Sequence, residues 1–99
     1  MRLDKFLKVS RIIKRRTVAN EACDAGRVSL NGRAARASAD VKEGDTIEVR
    51  FGTRVLTVEV VTVVESIHKE DAAEMYRVIS EERIQPAEKP ENTENNGNL

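Results

Sequence analysis

Residues 1–36, MRLDKFLKVSRIIKRRTVANEACDAGRVSLNGRAAR, hold two short helical patterns, a glycine stop and an Asn-Gly turn. Leu3, Phe6 and Leu7 fall at i, i+3 and i+4, one face of a helix expected over about Arg2 to Ser10. Ile12 and Ile13 break that spacing inside a connector dense in base: Arg11, Lys14, Arg15 and Arg16. Thr17 is expected to cap a second helix, because its hydroxyl can accept a free backbone N–H. Val18, Ala19, Ala22 and Cys23 give that helix a thin stripe of small apolar residues, and Gly26 is placed to stop it after Ala25. Arg27 to Leu30 alternates as a strand, Asn31-Gly32 suits a type I′ hairpin turn, and Arg33 to Arg36 reads as the return strand.

Further along the chain, Val41 to Asp45 is a turn around Gly44, and Thr46 to Phe51 alternates as a strand. Gly52-Thr53 turns the chain into Val55–Val64, a long β-branched run expected to be a strand. Glu70 to about Arg83 reads as a helix, with Ala72, Ala73, Tyr76 and Ile79 as its buried stripe and early acids at its positive end. The remainder is polar, rich in Asn and Glu, and without apolar periodicity. The expectation is one α+β domain over residues 1–84, with its core motif in 1–54, and a disordered acidic tail over 85–99. In it, a two-helix pair and a β-hairpin pack on a small, mostly antiparallel twisted sheet, with a C-terminal helix closing the chain.

The formal net charge is zero, but the charge is divided. Residues 1–54 carry thirteen Lys/Arg against seven Asp/Glu, an excess of six; the rest carries four against ten. A basic first half and an acidic second half point to an anionic partner on one face. Most charge runs are only solvated surface. Here the excess is confined to one element, and phosphate contact gives a reason for such self-repelling density. Arg2, Lys5, Arg11, Lys14, Arg15 and Arg16 are the candidate contacts. Arg27, Arg33 and Arg36 could extend that patch or be solvated strand residues.

Phe6, Phe51 and Tyr76 are the only aromatics, too few for a single-strand stacking platform, so folded RNA read through backbone and shape is favoured. Asn20, Glu21 and Asp24 on the outer side of the second helix would make a poor reader of a DNA major groove. A lone Cys23 allows no internal disulfide, and is expected to be inert core. One His68 and one Cys argue against a zinc site, and no carboxylate pair or nucleophile motif suggests catalysis. No apolar run approaches the roughly 20 residues of a membrane span. Charges at Arg2, Asp4, Lys5 and Lys8 are unlike a signal-peptide core, so a cytoplasmic protein without cofactor is expected.

The run from RLDKFL through KRRT, the AGRV stop and LNG resembles the small RNA-binding domain named after protein four of the small ribosomal subunit. The whole opening, together with VKEGDTIEVRFG at 41–52, is most similar to the RqcP (YabO) family of bacterial ribosome quality control factors. The resemblance spans about residues 1–84. It implies a role on obstructed large ribosomal subunits, with contact to large-subunit rRNA and peptidyl-site tRNA, and cooperation with RqcH in adding alanine to stalled chains. It carries over Arg2 and Arg16 as arginines presented to rRNA, with Arg11, Lys14 and Arg15 in the same basic segment. Many relatives carry Ser or Thr where Arg15 stands, so a cap at Thr17 and a later helix start are expected here. A heat-shock ribosome protein of about fifteen kilodaltons shares the domain but tends to carry a longer basic tail. An interaction module using the acidic helix, without RNA, is the rival from another class. Nothing in the sequence demands more than a monomer.

Overall fold

The computed structural model describes residues 1–83. The expected tail over 85–99 lies outside the described residues. Two helices, α1 (Leu3–Val9) and α2 (Arg16–Asp24), precede five strands: β1 (Val28–Leu30), β2 (Arg33–Ala34), β3 (Thr46–Phe51), β4 (Arg54–Val60) and β5 (Tyr76–Arg83). A 3₁₀ helix, Lys69–Met75, comes just before β5. The strands form one antiparallel sheet in the order β2-β1-β3-β4-β5.

Helices of seven and nine residues are too short to stand alone in water, so packing must hold them. Leu3, Phe6 and Leu7 are fully buried, as their spacing requires. They meet Ala19, Ala22 and Cys23 of α2 and Val28, Ile47, Val49 and Val58 of the sheet in one core. The small residues on α2 let the two helices approach closely. Truncating Phe6 to Ala would cost about 3–5 kcal/mol at such a site.

The start of α1 is satisfied by backbone rather than by a cap. Leu3 N–H donates to the Ala39 carbonyl at 2.8 Å and Asp4 N–H to that of Ala37 at 3.1 Å. These bonds use two of the donors that a helix start otherwise leaves free. Arg2, just before the helix, bridges to Asp40, so its backbone is fixed too. At the far end of α2, Gly26 adopts φ +77°, with its N–H on the Cys23 carbonyl and that of Arg27 on Ala22. This is the paired C-terminal closure that glycine favours. Asn31 and Gly32 take φ +53° and +85°, the two left-handed residues of the expected hairpin turn. The Asn31 side chain accepts the Thr46 N–H at 2.9 Å and donates to Asp45, tying the turn to β3.

Four local expectations are corrected. Thr17 is not the cap: α2 begins at Arg16, and Arg15 is the extended residue before it, with no side-chain cap. The strand expected over Val55–Val64 ends at Val60, and the β1 return strand is only two residues long. The C-terminal helix is replaced by the 3₁₀ turn and by β5, which pairs with β4 from Arg54↔Arg83 to Val60↔Tyr76. Ala72, Tyr76 and Ile79 do have helical spacing, but Ile79 is half exposed, and the buried residues are Ala72 and Met75. Tyr76, Val78 and Ile79 favour extended backbone, and the open edge of β4 supplies a ladder that an isolated helix could not match.

Candidate nucleic-acid interface

Asp4 is buried among basic neighbours, with 2% of its surface exposed. It follows Leu3 on the packed side of α1, and three side chains converge on its carboxylate. Arg2 donates from Nε to Oδ1 at 3.1 Å and from Nη2 to Oδ2 at 3.3 Å. Arg16 reaches both oxygens, Nε at 3.4 Å from Oδ2 and Nη2 at 3.5 Å from Oδ1. Asn20 donates from Nδ2 to Oδ2 at 3.3 Å. Arg16 and Asn20 are four residues apart and so share one face of α2. That explains the early start of the helix. A cation at a helix N-terminus is unfavourable against the backbone dipole, and here a buried anion compensates it.

Burial alone would raise the Asp4 carboxyl. The hydrogen bonds from Arg2, Asn20 and Arg16 outweigh burial and hold it at about 2. The carboxylate is therefore permanent, while the two guanidinium groups stay about half exposed, at 50% and 47%. Two cations on one anion leave a positive charge over, displayed with planar donors still facing water. Burial, then the charges of Asp4 and Asp24, pushes the Cys23 thiol up to about 11, so this buried cysteine is a poor nucleophile.

The other candidates lie elsewhere. Arg11 and Lys14 line a second hollow together with Lys8 and Glu65. Arg11 holds a left-handed φ of +65°, a strained position for a side chain larger than Asn, immediately after α1. Lys5 is ion-paired with Glu65, sixty residues away in sequence. Arg15 is exposed beside Arg16. Among the described residues, no hydrogen bond or ion pair joins the Arg2–Arg16 pair to the Arg11–Lys14 group. Asp4, Asn20 and Glu65 were not among the sequence candidates. Asn20 in particular is half buried on Asp4, not on an outer face. The available signal was a lone acid between Leu3 and Phe6, on the buried side of a basic helix.

Comparison with known proteins defines the class first. Residues 1–47 match the model of the S4 domain. A solved structure, the trimeric heat shock protein 15 of Vibrio cholerae, superposes with a TM-score of 0.75 at 30% identity, covering 81% of this chain and 82% of that one. The RQC P-site tRNA stabilizing factor of Bacillus subtilis is 56% identical over 84 residues, 85% of this chain and 98% of its own. That of Streptococcus pneumoniae is 56% identical over 85 residues, 86% of this chain and 97% of its own. The chain belongs to the family of RQC P-site tRNA stabilizing factors, the ribosome quality control family that its opening residues resemble.

Proposed function

We propose that the chain binds folded RNA on obstructed large ribosomal subunits, touching large-subunit rRNA and peptidyl-site tRNA, in the cytoplasm and without chemistry of its own. The observation that carries this reading is the Asp4-centred pair of half-exposed arginines, Arg2 and Arg16. A buried carboxylate fixes both guanidinium groups before any ligand arrives, so little side-chain entropy is lost on contact with phosphate. Arg11, Lys14 and Arg15 add charge along the same connector, and Lys5 joins them when Glu65 releases it. The names of the relatives support the tRNA part of the reading. In this role the bound chain holds tRNA in register while RqcH extends the stalled chain with alanine, and it acts as a monomer.

The test is charge reversal at Arg16. Arg16→Glu should abolish co-sedimentation with isolated large subunits and leave the far-ultraviolet circular dichroism unchanged. Co-sedimentation at the wild-type level would refute the role of that residue. A second reading, recycling of freed large subunits in the manner of a heat-shock protein, is favoured by the likeness to heat shock protein 15. The two readings separate on whether alanine tailing stops when the protein is withdrawn.

A further inference from the structure

Where α1 ends, the connector to α2 meets a strap from the far half of the chain. Residues 61–68 leave β4 and lie on the core through the half-buried side chains of Val63, Val64 and Ile67. Between connector and strap is a hollow of about 130 Å³. Lys8, Arg11 and Lys14 line one side of it, and Glu65, Ser66 and Ile67 the other. The Lys5–Glu65 ion pair marks the side of α1 that faces the strap. Lys8, three residues on, shares that side. Arg11 N–H donates to the Lys8 carbonyl at 3.1 Å and Ile13 N–H to that of Leu7 at 3.0 Å, which ties the connector to the helix end.

Three cations thus face one carboxylate, and Lys5 already holds it. Among the described residues, Lys8, Arg11 and Lys14 have no ion-pair partner. The end of α1 carries about half a negative charge, which one lysine balances. The backbone at Arg11 adds an independent sign. Its φ of +65° is the left-handed position after a helix, which glycine takes without steric cost. Gly26 holds the equivalent position after α2. At the end of α1 the chain places a guanidinium there instead, against the steric preference of its own backbone.

We propose that this hollow takes one phosphate group of a folded RNA backbone, held by Lys8, Arg11 and Lys14 against the strap. The proposal rests on the RNA-binding reading above and gives it a walled contact separate from the Arg2–Arg16 pair. At about 30 Å³ per water the hollow has room for about four waters, enough for a tetrahedral oxyanion and too little for a base. A phosphate presents oxygens in several directions, as three cations around a hollow require. A carboxylate presents two oxygens in one plane.

The experiment uses the full chain and a fluorescein-labelled RNA hairpin, with anisotropy read across a series of potassium chloride concentrations. The triple variant Lys8→Gln, Arg11→Gly, Lys14→Gln should bind more weakly. Its slope of log affinity against log salt should be shallower by about one, since one phosphate contact is lost. A slope shallower by about three means three separate contacts on an open surface, and an unchanged slope means none; either overturns the hollow. Absence of salt-sensitive binding by the wild-type chain overturns the RNA reading with it. Arg11→Gly alone should weaken the hairpin yet raise the melting temperature by about 3 °C, as the left-handed strain is relieved. A melting temperature that does not rise would show that the arginine serves the connector's own fold, and the proposal fails. Nuclear magnetic resonance of the Ser66 and Ile67 amides, at matched ionic strength, separates the sources of the anion. The hairpin should shift them and inorganic phosphate should not. Saturation by inorganic phosphate marks a free-ion site, and a shift by polyglutamate alone marks a protein site; both overturn the backbone assignment.

Discussion

The two ends of this small domain handle charge in opposite ways. In the helical end, two arginines and an asparagine share one buried carboxylate, and positive charge is left over on the surface. In the β4–β5 ribbon, two ion pairs each join one base to one acid across neighbouring strands, Arg54 with Glu81 and Arg77 with Glu59. The first arrangement holds cations still without neutralising them. The second neutralises them and asks little of their geometry. Binding capacity should follow the first and be indifferent to the second.

The widest gap between the two ends should appear in salt. If about five phosphates are neutralised by the helical end, RNA affinity should fall by about four powers of ten for a tenfold rise in monovalent salt. The same titration should barely move the melting temperature, because exposed cross-strand pairs contribute little to stability. A shallow salt slope, near that of a neutral ligand, would break the contrast at its strongest point.

Next in size is the loss of Asp4. Asp4→Asn keeps the shape of the side chain but leaves Arg2 and Arg16 facing each other with no anion between them. We expect a stability loss of about 2 kcal/mol, measured by urea denaturation at neutral pH. The pH dependence fixes the cause. The folded carboxyl lies at about 2, below its ordinary 3.8. A lowered value means that the stabilisation is complete above about pH 5 and is lost as pH falls through 3.8 toward 2. Wild-type and Asp4→Asn curves should therefore converge in acid and separate toward neutrality. Parallel curves would show that the carboxylate is not what organises the arginines.

How much of this was legible in the sequence differs between the same two ends. The helices and the hairpin were legible because their signals are local: apolar spacing in Leu3, Phe6 and Leu7, a glycine at Gly26, and an Asn-Gly pair at the turn. β5 was not, because Ala72, Tyr76 and Ile79 mimic a helical stripe and the deciding factor is a ladder to β4, some twenty residues earlier in the chain. At the interface, charge density gave Arg2 and Arg16 but not the group that joins them. A single acid among so many bases looks incidental until its burial is known. The mistaken cap at Thr17 has the same root. Helix propensity rules weigh neighbours in sequence, whereas α2 starts where a carboxylate from another helix can hold its first side chain.

The smallest expected effect tests the ribbon itself. Glu59 lies opposite Arg77 in the β4–β5 register, and the two side chains form an ion pair at the sheet surface. Glu59→Gln removes the charge and keeps the length, so the strand pairing persists. With Arg77 about two-thirds exposed, water already screens most of the attraction, and the change should cost under about 0.5 kcal/mol. RNA affinity should stay the same or rise slightly, since one negative charge has gone. A loss of several kcal/mol would mean that β5 depends on its ion pairs more than on its ladder. The charge-matched end would then be as finely organised as the end built around Asp4.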